Sequence, residues 1–207
     1  MLTFDDGFAD FYSEAFPVLR RYRFVATLYI VTAFVGNTSC WLVREGEASR
    51  PMLTWEQLAE ISAYGIECGG HTQSHPQLDL LPRDRAREEI VRCKEALENH
   101  LNCAVGSFAY PFGYYSVGVR RLVQEAGYTS ACAVRYAMSS ESDDPYALAR
   151  LIVKNDTSIE AFASLLSGQG VSSVFTLYKA LQAPLWRTAR RSVALAVHSF
   201  QKGVFLQ

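Results

Sequence analysis

The opening segment Met1-Leu2-Thr3-Phe4-Asp5-Asp6-Gly7 places two adjacent carboxylates directly after a short apolar run. The run predicts a buried strand, and Gly7 lets the backbone turn sharply after the acid pair. Two neighbouring negative charges repel each other and are costly to remove from water, so they need a cation or another strong partner. The alternative is a surface turn, because Asp and Gly are common turn residues.

Short apolar runs alternate with amphipathic stretches along the chain, which predicts an α/β domain with parallel strands in a barrel or open sheet. The predicted strands span residues 2–4, 25–31, 66–69, 105–109, 129–134 and 149–153. The predicted helices span 54–65, 82–99, 116–127 and a segment that begins at Asp156 or Thr157 and ends near Gly168. In such folds the functional side chains gather where strands end and loops begin.

A second motif, Gly69-Gly70-His71-Thr72-Gln73-Ser74-His75-Pro76, follows the third predicted strand. Two imidazoles four residues apart can converge on one ion, either on a helix or in a tight loop. Imidazole nitrogens suit zinc or another first-row metal. Together with one carboxylate, His71 and His75 would leave open metal positions for water and a carbonyl oxygen, and the second carboxylate would be available as a base.

A third fragment, Phe108-Ala109-Tyr110-Pro111-Phe112-Gly113, forms a turn after the next predicted strand. Its aromatic walls and exposed backbone N–H groups could bind a substrate and stabilise an oxyanion, although Pro-Phe-Gly is also an ordinary turn. The long segment 32–53 is predicted to be a surface loop over the same end of the domain. Its aromatic residues Phe34 and Trp41 could stack on a sugar or could simply anchor the loop.

These three fragments, in this order, resemble the polysaccharide deacetylases of carbohydrate esterase family 4, the NodB homology domain. The family motif TFDDG is matched by residues 3–7, and the motif His-[Ser/Thr]-x-x-His by residues 71–75. The resemblance covers residues 1 to about 167. It implies a deformed (β/α) barrel that holds a divalent metal, most often Zn2+, and hydrolyses the N-acetyl amide of sugars in a polysaccharide or glycoconjugate.

The resemblance also implies residue roles. Asp5 would be the general base, and Asp6, His71 and His75 the metal ligands. Phe112 would offer its backbone N–H to the oxyanion. Tyr110, Pro111 and Trp41 are candidate substrate-binding residues, and Thr72 is expected to shape the loop between the two histidines.

Three parts of the family pattern are missing or unclear, and one of them is the Asp-x-x-x-Trp motif, which is not recognisable in this sequence. Ala109 stands where the family has an arginine that pairs with the catalytic aspartate, and Arg150 is the candidate replacement. The family's late Leu-x-His motif, whose histidine protonates the leaving amine, is not clear. Candidates for this proton donor are His198, His100, Tyr110 and metal-bound water.

Composition and charge separate a tail over 169–207 from residues 1–168, which the resemblance implies are the catalytic domain. The net charge of −1 argues against nucleic-acid binding, which needs a basic face. The segment 171–207 has five basic residues and no acidic ones. A basic amphipathic helix over 174–200 is therefore predicted to contact a membrane or a partner, or to pack against the barrel.

The five cysteines are scattered, with no CxxC pair, which favours free thiols in a reducing compartment. No signal peptide is visible, so a cytoplasmic or membrane-associated location is expected, although the chain begins within a predicted strand and N-terminal sequence is expected to be missing.

Two alternative functions stay open: deacylation of a non-sugar amide at the same metal site, and carbohydrate binding without hydrolysis. A pure binder has no need of Asp5 as a base.

Overall fold

A computed structural model describes residues 1–134, 137–168 and Arg190. In this part of the chain, five strands form one parallel sheet in the order of the sequence. The strands are β1 (Leu2–Phe4), β2 (Ala26–Ile30), β3 (Glu67–Gly70), β4 (Ser107–Ala109) and β5 (Ser130–Cys132). The predicted parallel α/β sheet is therefore confirmed.

The sheet curls strongly. In a flat sheet the outer strands β1 and β5 would lie about 19 Å apart, because neighbouring strands are spaced by about 4.8 Å. Arg150, which follows β5, nevertheless donates a hydrogen bond to Thr3 of β1, with Nη1 to Oγ1 at 3.3 Å. The curl therefore brings the two outer strands to opposite sides of one opening.

Five α-helices connect or follow the strands, and the apolar faces of the first four form the core with the sheet, whereas the fifth has no buried residue. They are α1 (Phe16–Tyr22), α2 (Trp55–Tyr64), α3 (Arg83–Leu101), α4 (Val117–Glu125) and α5 (Ile159–Leu166). A capping box begins α2, since the Thr54 side chain accepts a hydrogen bond from the backbone of Gln57 and the Gln57 side chain accepts one from the backbone of Thr54. Gly65 ends this helix in a left-handed conformation.

The secondary structure differs from the expectations in three places. Helix α1, which continues from the π-helical turn Phe11–Ala15, was not predicted. Helix α5 is capped by Ser158 instead of Asp156 or Thr157. The segment 149–153 is apolar but does not form a strand, since its side chains Ile152 and Val153 are largely exposed and the nearest pairing is an isolated bridge at Leu148.

The segment 32–53 is a loop with two short 3-10 turns, as predicted. Apart from Arg190, the predicted tail 169–207 and its candidate membrane-contact helix over 174–200 lie outside the described residues. None of the helices that the structure describes is both long and apolar enough to cross a bilayer. The five cysteines are all free thiols.

The glycines of β3 are required by the close packing inside the curled sheet. A Cβ on Gly69 would lie 2.6 Å from the Tyr29 ring and 2.5 Å from the Ser107 hydroxyl. These side chains come from the strands on either side of β3, so neither can move without disturbing the sheet. A side chain at this position would displace the strand that leads directly into His71.

We expect Gly69→Ala to lower the free energy of unfolding by about 1–3 kcal/mol, the usual cost of overpacking. The control is Gly118→Ala in α4, where the position is exposed and the nearest heavy atom is 3.7 Å away. This control should be neutral or stabilising by up to about 1 kcal/mol, because alanine is the better helix former. Urea denaturation of both variants checks the prediction, and equal stability of the two would contradict it.

Candidate metal centre

Three predicted metal ligands meet at the carboxyl end of the sheet. Asp6 follows β1, His71 follows β3, and His75 lies in the loop beyond it. Oδ1 of Asp6 lies 3.5 Å from Nε2 of His71 and 3.3 Å from Nε2 of His75. One donor atom from each residue lies within 4.8 Å of the others, so a single ion could contact all three.

The electrostatics of Asp6 fit a bound cation. Its Oδ1 is buried and has no hydrogen-bond partner among the described residues. Burial raises the pKa of the Asp6 carboxyl, and the charge of Asp5 adds to this rise, so the pKa lies above its usual value although His71 opposes the change. A carboxylate in this position needs a positive partner, which a metal ion would provide.

Both histidines are placed to act as metal ligands. His71 is buried, and its Nδ1 lies 2.7 Å from the carbonyl oxygen of Ala109, which fixes the proton on Nδ1 and leaves Nε2 free to bind a metal. Burial and the proximity of His71 lower the pKa of His75 to about 3, so His75 is neutral at ordinary pH. These donors suit a divalent first-row metal such as Zn2+.

The loop between the histidines is held in a strained conformation by side-chain hydrogen bonds. Thr72 and His75 both have positive φ angles, 68° and 62°. As expected, Thr72 shapes the loop: its hydroxyl accepts a hydrogen bond from the backbone N–H of His75 at 2.9 Å. Two further bonds join Ser74 to Glu89 of α3, from the backbone N–H at 2.8 Å and from the hydroxyl at 2.6 Å.

Glu89 was not predicted as a site residue. Its side chain is only 8% exposed and lies on the buried face of α3, beside Ala86, Ile90 and Cys93. A carboxylate on an apolar helix face is rarely buried without a partner, and this pattern is the signal that could have identified it. Glu89 positions the loop that carries His75.

Asp5 faces a different partner from Asp6. The guanidinium of Arg150 binds both of its carboxylate oxygens, at 2.6 Å and 2.8 Å. This fork-to-fork geometry is the strongest arrangement for an arginine and a carboxylate. Arg150 therefore occupies the place predicted for it, although it lies in an irregular segment and not at the start of a strand.

The charge environment keeps Asp5 ionised. Burial by itself raises the pKa of the Asp5 carboxyl, but the proximity of His71 and the hydrogen bonds and charge of Arg150 lower it by more, so the pKa lies below its usual value. The adjacent carboxylates Asp5 and Asp6 thus have pKa values shifted in opposite directions. Such a pair is suited to two different chemical roles.

The turn after β4 was predicted to bind substrate and to stabilise an oxyanion, and its residues lie at different distances from the site. Phe112 lies at the metal centre, with φ at 58° and its ring centroid 4.7 Å from that of His75. Tyr110 and Pro111, which were predicted to bind substrate, are both buried, and their contact with a substrate stays a prediction. The Tyr110 hydroxyl donates a hydrogen bond to the carbonyl of Tyr146, so it cannot reach the site as a proton donor.

The remaining predicted residues differ in how close they lie to the site. Trp41 lies beside the metal ligands, with its ring centroid 5.5 Å from that of His75 and 4.7 Å from that of Phe34. Its contact with a sugar stays a prediction. His100 stacks on Trp55 at 3.8 Å and bonds within its own helix, so its contacts are structural. His198 lies outside the described residues.

The family model for polysaccharide deacetylase matches residues 1–131. This match includes β1 to β4 and all three proposed metal ligands. The chain belongs to the polysaccharide deacetylase family.

Known relatives support this assignment. YxkH of Bacillus subtilis is 27% identical over 166 residues, covering 80% of this chain and 55% of that protein. The poly-beta-1,6-N-acetyl-D-glucosamine N-deacetylase of Escherichia coli K12 is 23% identical, covering 79% of this chain and 29% of that protein. The chain thus spans only about half, or less, of the length of these relatives.

Two solved structures have the same fold. The deacetylase PplD of Streptococcus pyogenes, in complex with acetate, matches with a TM-score of 0.68 and 27% identity, covering 79% of this chain and 68% of that one. IcaB from Ammonifex degensii matches with a TM-score of 0.70 and 25% identity, covering 80% and 71%. The predicted deformed (β/α) barrel of the deacetylase type is confirmed for the described residues.

The Asp5–Arg150 ion pair predicts that the pH dependence of activity changes when the arginine is removed. Arg150→Ala removes an influence that lowers the pKa of Asp5, so the acidic limb of the kcat/KM profile for acetate release should move to higher pH. The kcat at the wild-type optimum should fall about 10-fold or more, as it does when groups that orient a metal site are removed. Arg150→Lys, which keeps the charge without the fork, should give an intermediate profile. An unchanged profile in Arg150→Ala would show that another group controls Asp5.

Proposed function

We propose that this protein is a metal-dependent N-deacetylase, which hydrolyses the N-acetyl amide of a sugar in a polysaccharide or glycoconjugate and releases acetate. The proposal rests on the observation that the adjacent carboxylates Asp5 and Asp6 have different partners. Asp6 lies beside the two imidazoles of His71 and His75, whereas Asp5 is paired with Arg150 at the edge of the same centre. A site that only binds sugars does not need the second carboxylate.

Asp6, His71 and His75 would hold the metal, which we propose to be Zn2+. When bound there, the ion would polarise the acetyl carbonyl and favour deprotonation of the attacking water. Asp5 is the residue placed to take that proton, because it is ionised and is not one of the three converging ligands. Arg150 binds both oxygens of the Asp5 carboxylate and so fixes the plane of this group.

Phe112 has a second role in this proposal. The negative charge that develops on the carbonyl oxygen needs a donor, and the backbone N–H of Phe112 lies in a turn beside His75. The departing amine needs a proton, and Asp5 holds one after the attack. Arg150 favours return of this proton, since the guanidinium stabilises the carboxylate form of Asp5 over the carboxylic acid.

The surroundings of the site favour a sugar substrate. Trp41 and the 45% exposed Phe112 both place rings beside His75, and aromatic faces of this kind can pack against a hexose ring. The Escherichia coli relative is named for poly-beta-1,6-N-acetyl-D-glucosamine. We therefore propose polymers of N-acetylglucosamine as the substrate class, with the β-1,6-linked polymer as the first to test.

Acetate release from β-1,6-linked N-acetylglucosamine oligomers tests the proposal. Release should depend on added Zn2+ and stop with a chelator. Asp5→Asn should lower kcat by about 100- to 10,000-fold, the range expected when a general base is lost. Zinc content should stay close to that of the wild type, because Asp5 is not proposed as a ligand.

The double variant His71→Ala/His75→Ala should lose both zinc and activity. Asp84→Asn is the matched control, since Asp84 is an exposed carboxylate in the first turn of α3 and lies outside the site. It should retain full activity. Zinc binding without release from any acetylated sugar would favour the non-hydrolytic alternative, and release only from simple amides would favour a non-sugar deacylase. Acetate release that survives the double substitution would exclude the site as proposed.

A further inference from the structure

We propose that Arg190 is a positioning residue for the metal centre, acting from the C-terminal part of the chain on the two loops that flank His75. The inference builds on the proposed function, and it adds a residue that lies beyond the family match at 1–131. Arg190 touches neither the metal ligands nor Asp5. It acts through Asp79 and Tyr114.

The guanidinium of Arg190 is bound by the short turn Leu78–Leu80 and the residue before it. Both nitrogens contact the carboxylate of Asp79, Nη1 at 3.2 Å and Nη2 at 2.8 Å. Nη1 also donates to the side-chain oxygen of Gln77 at 2.8 Å. This turn follows His75 by three residues, and Pro76 limits the flexibility between them.

The same guanidinium contacts the second loop. Its carbon atom lies 3.7 Å from the centre of the Tyr114 ring, which is a close cation–π contact. The Tyr114 ring stacks with that of Phe112 at 6.2 Å, and Phe112 in turn packs against His75 at 4.7 Å. Arg190 therefore joins the loop that carries a metal ligand to the turn that carries the proposed oxyanion donor.

Burial distinguishes this contact from a surface ion pair. Asp79 is 3% exposed, and the side chain of Arg190 is 13% exposed. Among the ion pairs of the described residues, only one other arginine is as well buried, and it is Arg150 at 12%. Arginines such as Arg85, at 65%, pair within exposed helix faces, where the contribution is small.

A buried ion pair of this kind fixes local geometry. Removing Arg190 takes two charge-assisted hydrogen bonds from a buried carboxylate, which strongly favours rearrangement of the surrounding turn. Because that turn continues directly from His75, its rearrangement changes the position of the ligand. A lysine would restore the charge but not the planar fork that binds both carboxylate oxygens and covers the Tyr114 ring.

The experiment compares Arg190→Ala, Arg190→Lys and the control Arg85→Ala in the full chain. The measurements are the Kd for Zn2+ by competition with a chelating dye, kcat and KM for acetate release by the zinc-saturated protein, and the melting temperature. Arg190→Ala should weaken zinc binding and lower kcat, each by about 10-fold or more, as loss of outer-shell partners does at metal sites. KM should change less than kcat, Arg190→Lys should be intermediate, and Arg85→Ala should match the wild type.

Asp79→Asn is a second, independent test variant, and it decides the inference if Arg190→Ala does not fold. It should also lower zinc affinity and kcat, and the loss in the double variant should be smaller than the sum of the two single losses, because both changes break the Asp79–Arg190 ion pair. A lower melting temperature with wild-type zinc affinity and wild-type kcat would mean that the pair is only structural, and it would overturn the proposal.

The outcome for Arg190 is separable from that for the proposed function. If the wild-type protein released no acetate from any acetylated sugar, the proposed function would fail. Zinc affinity of the same variants would still decide the inference, since the contact from Arg190 to the His75 loop does not depend on the identity of the substrate. Equal zinc affinity in the wild type, Arg190→Ala and Asp79→Asn would then overturn it.

Discussion

The repulsion between two adjacent carboxylates, Asp5 and Asp6, is the constraint on which the rest of the site depends. Neighbouring charges at a strand end are stable only when each has its own positive or hydrogen-bonding partner. Asp5 obtains Arg150, and Asp6 faces two imidazole nitrogens with one oxygen that has no hydrogen bond among the described residues. The different partners make two chemically identical side chains unequal, and this inequality is what a hydrolytic metal site requires.

The curled parallel sheet allows these partners to meet. Carboxyl ends of parallel strands lie on one side, so residues after β1 and β3 are neighbours in space although they are more than sixty positions apart in sequence. The curl then brings Arg150, after the last strand, across the opening to Asp5. A flat sheet would leave this arginine too far away. The close packing around Gly69 belongs to the same curled sheet that brings Arg150 to Asp5.

Local chemistry made the proposed metal ligands identifiable from the sequence. The acid pair, the glycine-flanked histidines and the turn at Phe112 each combine an apolar strand with residues that need a partner. Arg150 could also be predicted, because the missing arginine at Ala109 leaves Asp5 without a counter-charge. Glu89 and Arg190 could not be predicted in this way, since their roles depend on which loops lie beside them in the folded chain. The buried position of Tyr110 likewise depends on packing against Tyr146, which no local pattern reveals.

Backbone strain gives an independent indication of where function is concentrated. Six non-glycine residues of the described chain have positive φ angles, and two of them, Arg23 and Asn102, end helices in the usual left-handed conformation. The other four surround the proposed metal: Asp6, Thr72, His75 and Phe112. Each such conformation costs about 1–3 kcal/mol, so it persists only where surrounding contacts hold it. Thr72, Glu89 and the Asp79–Arg190 pair provide contacts of this kind. The side chains that hold the loops are therefore as necessary to the geometry of the site as the ligands themselves.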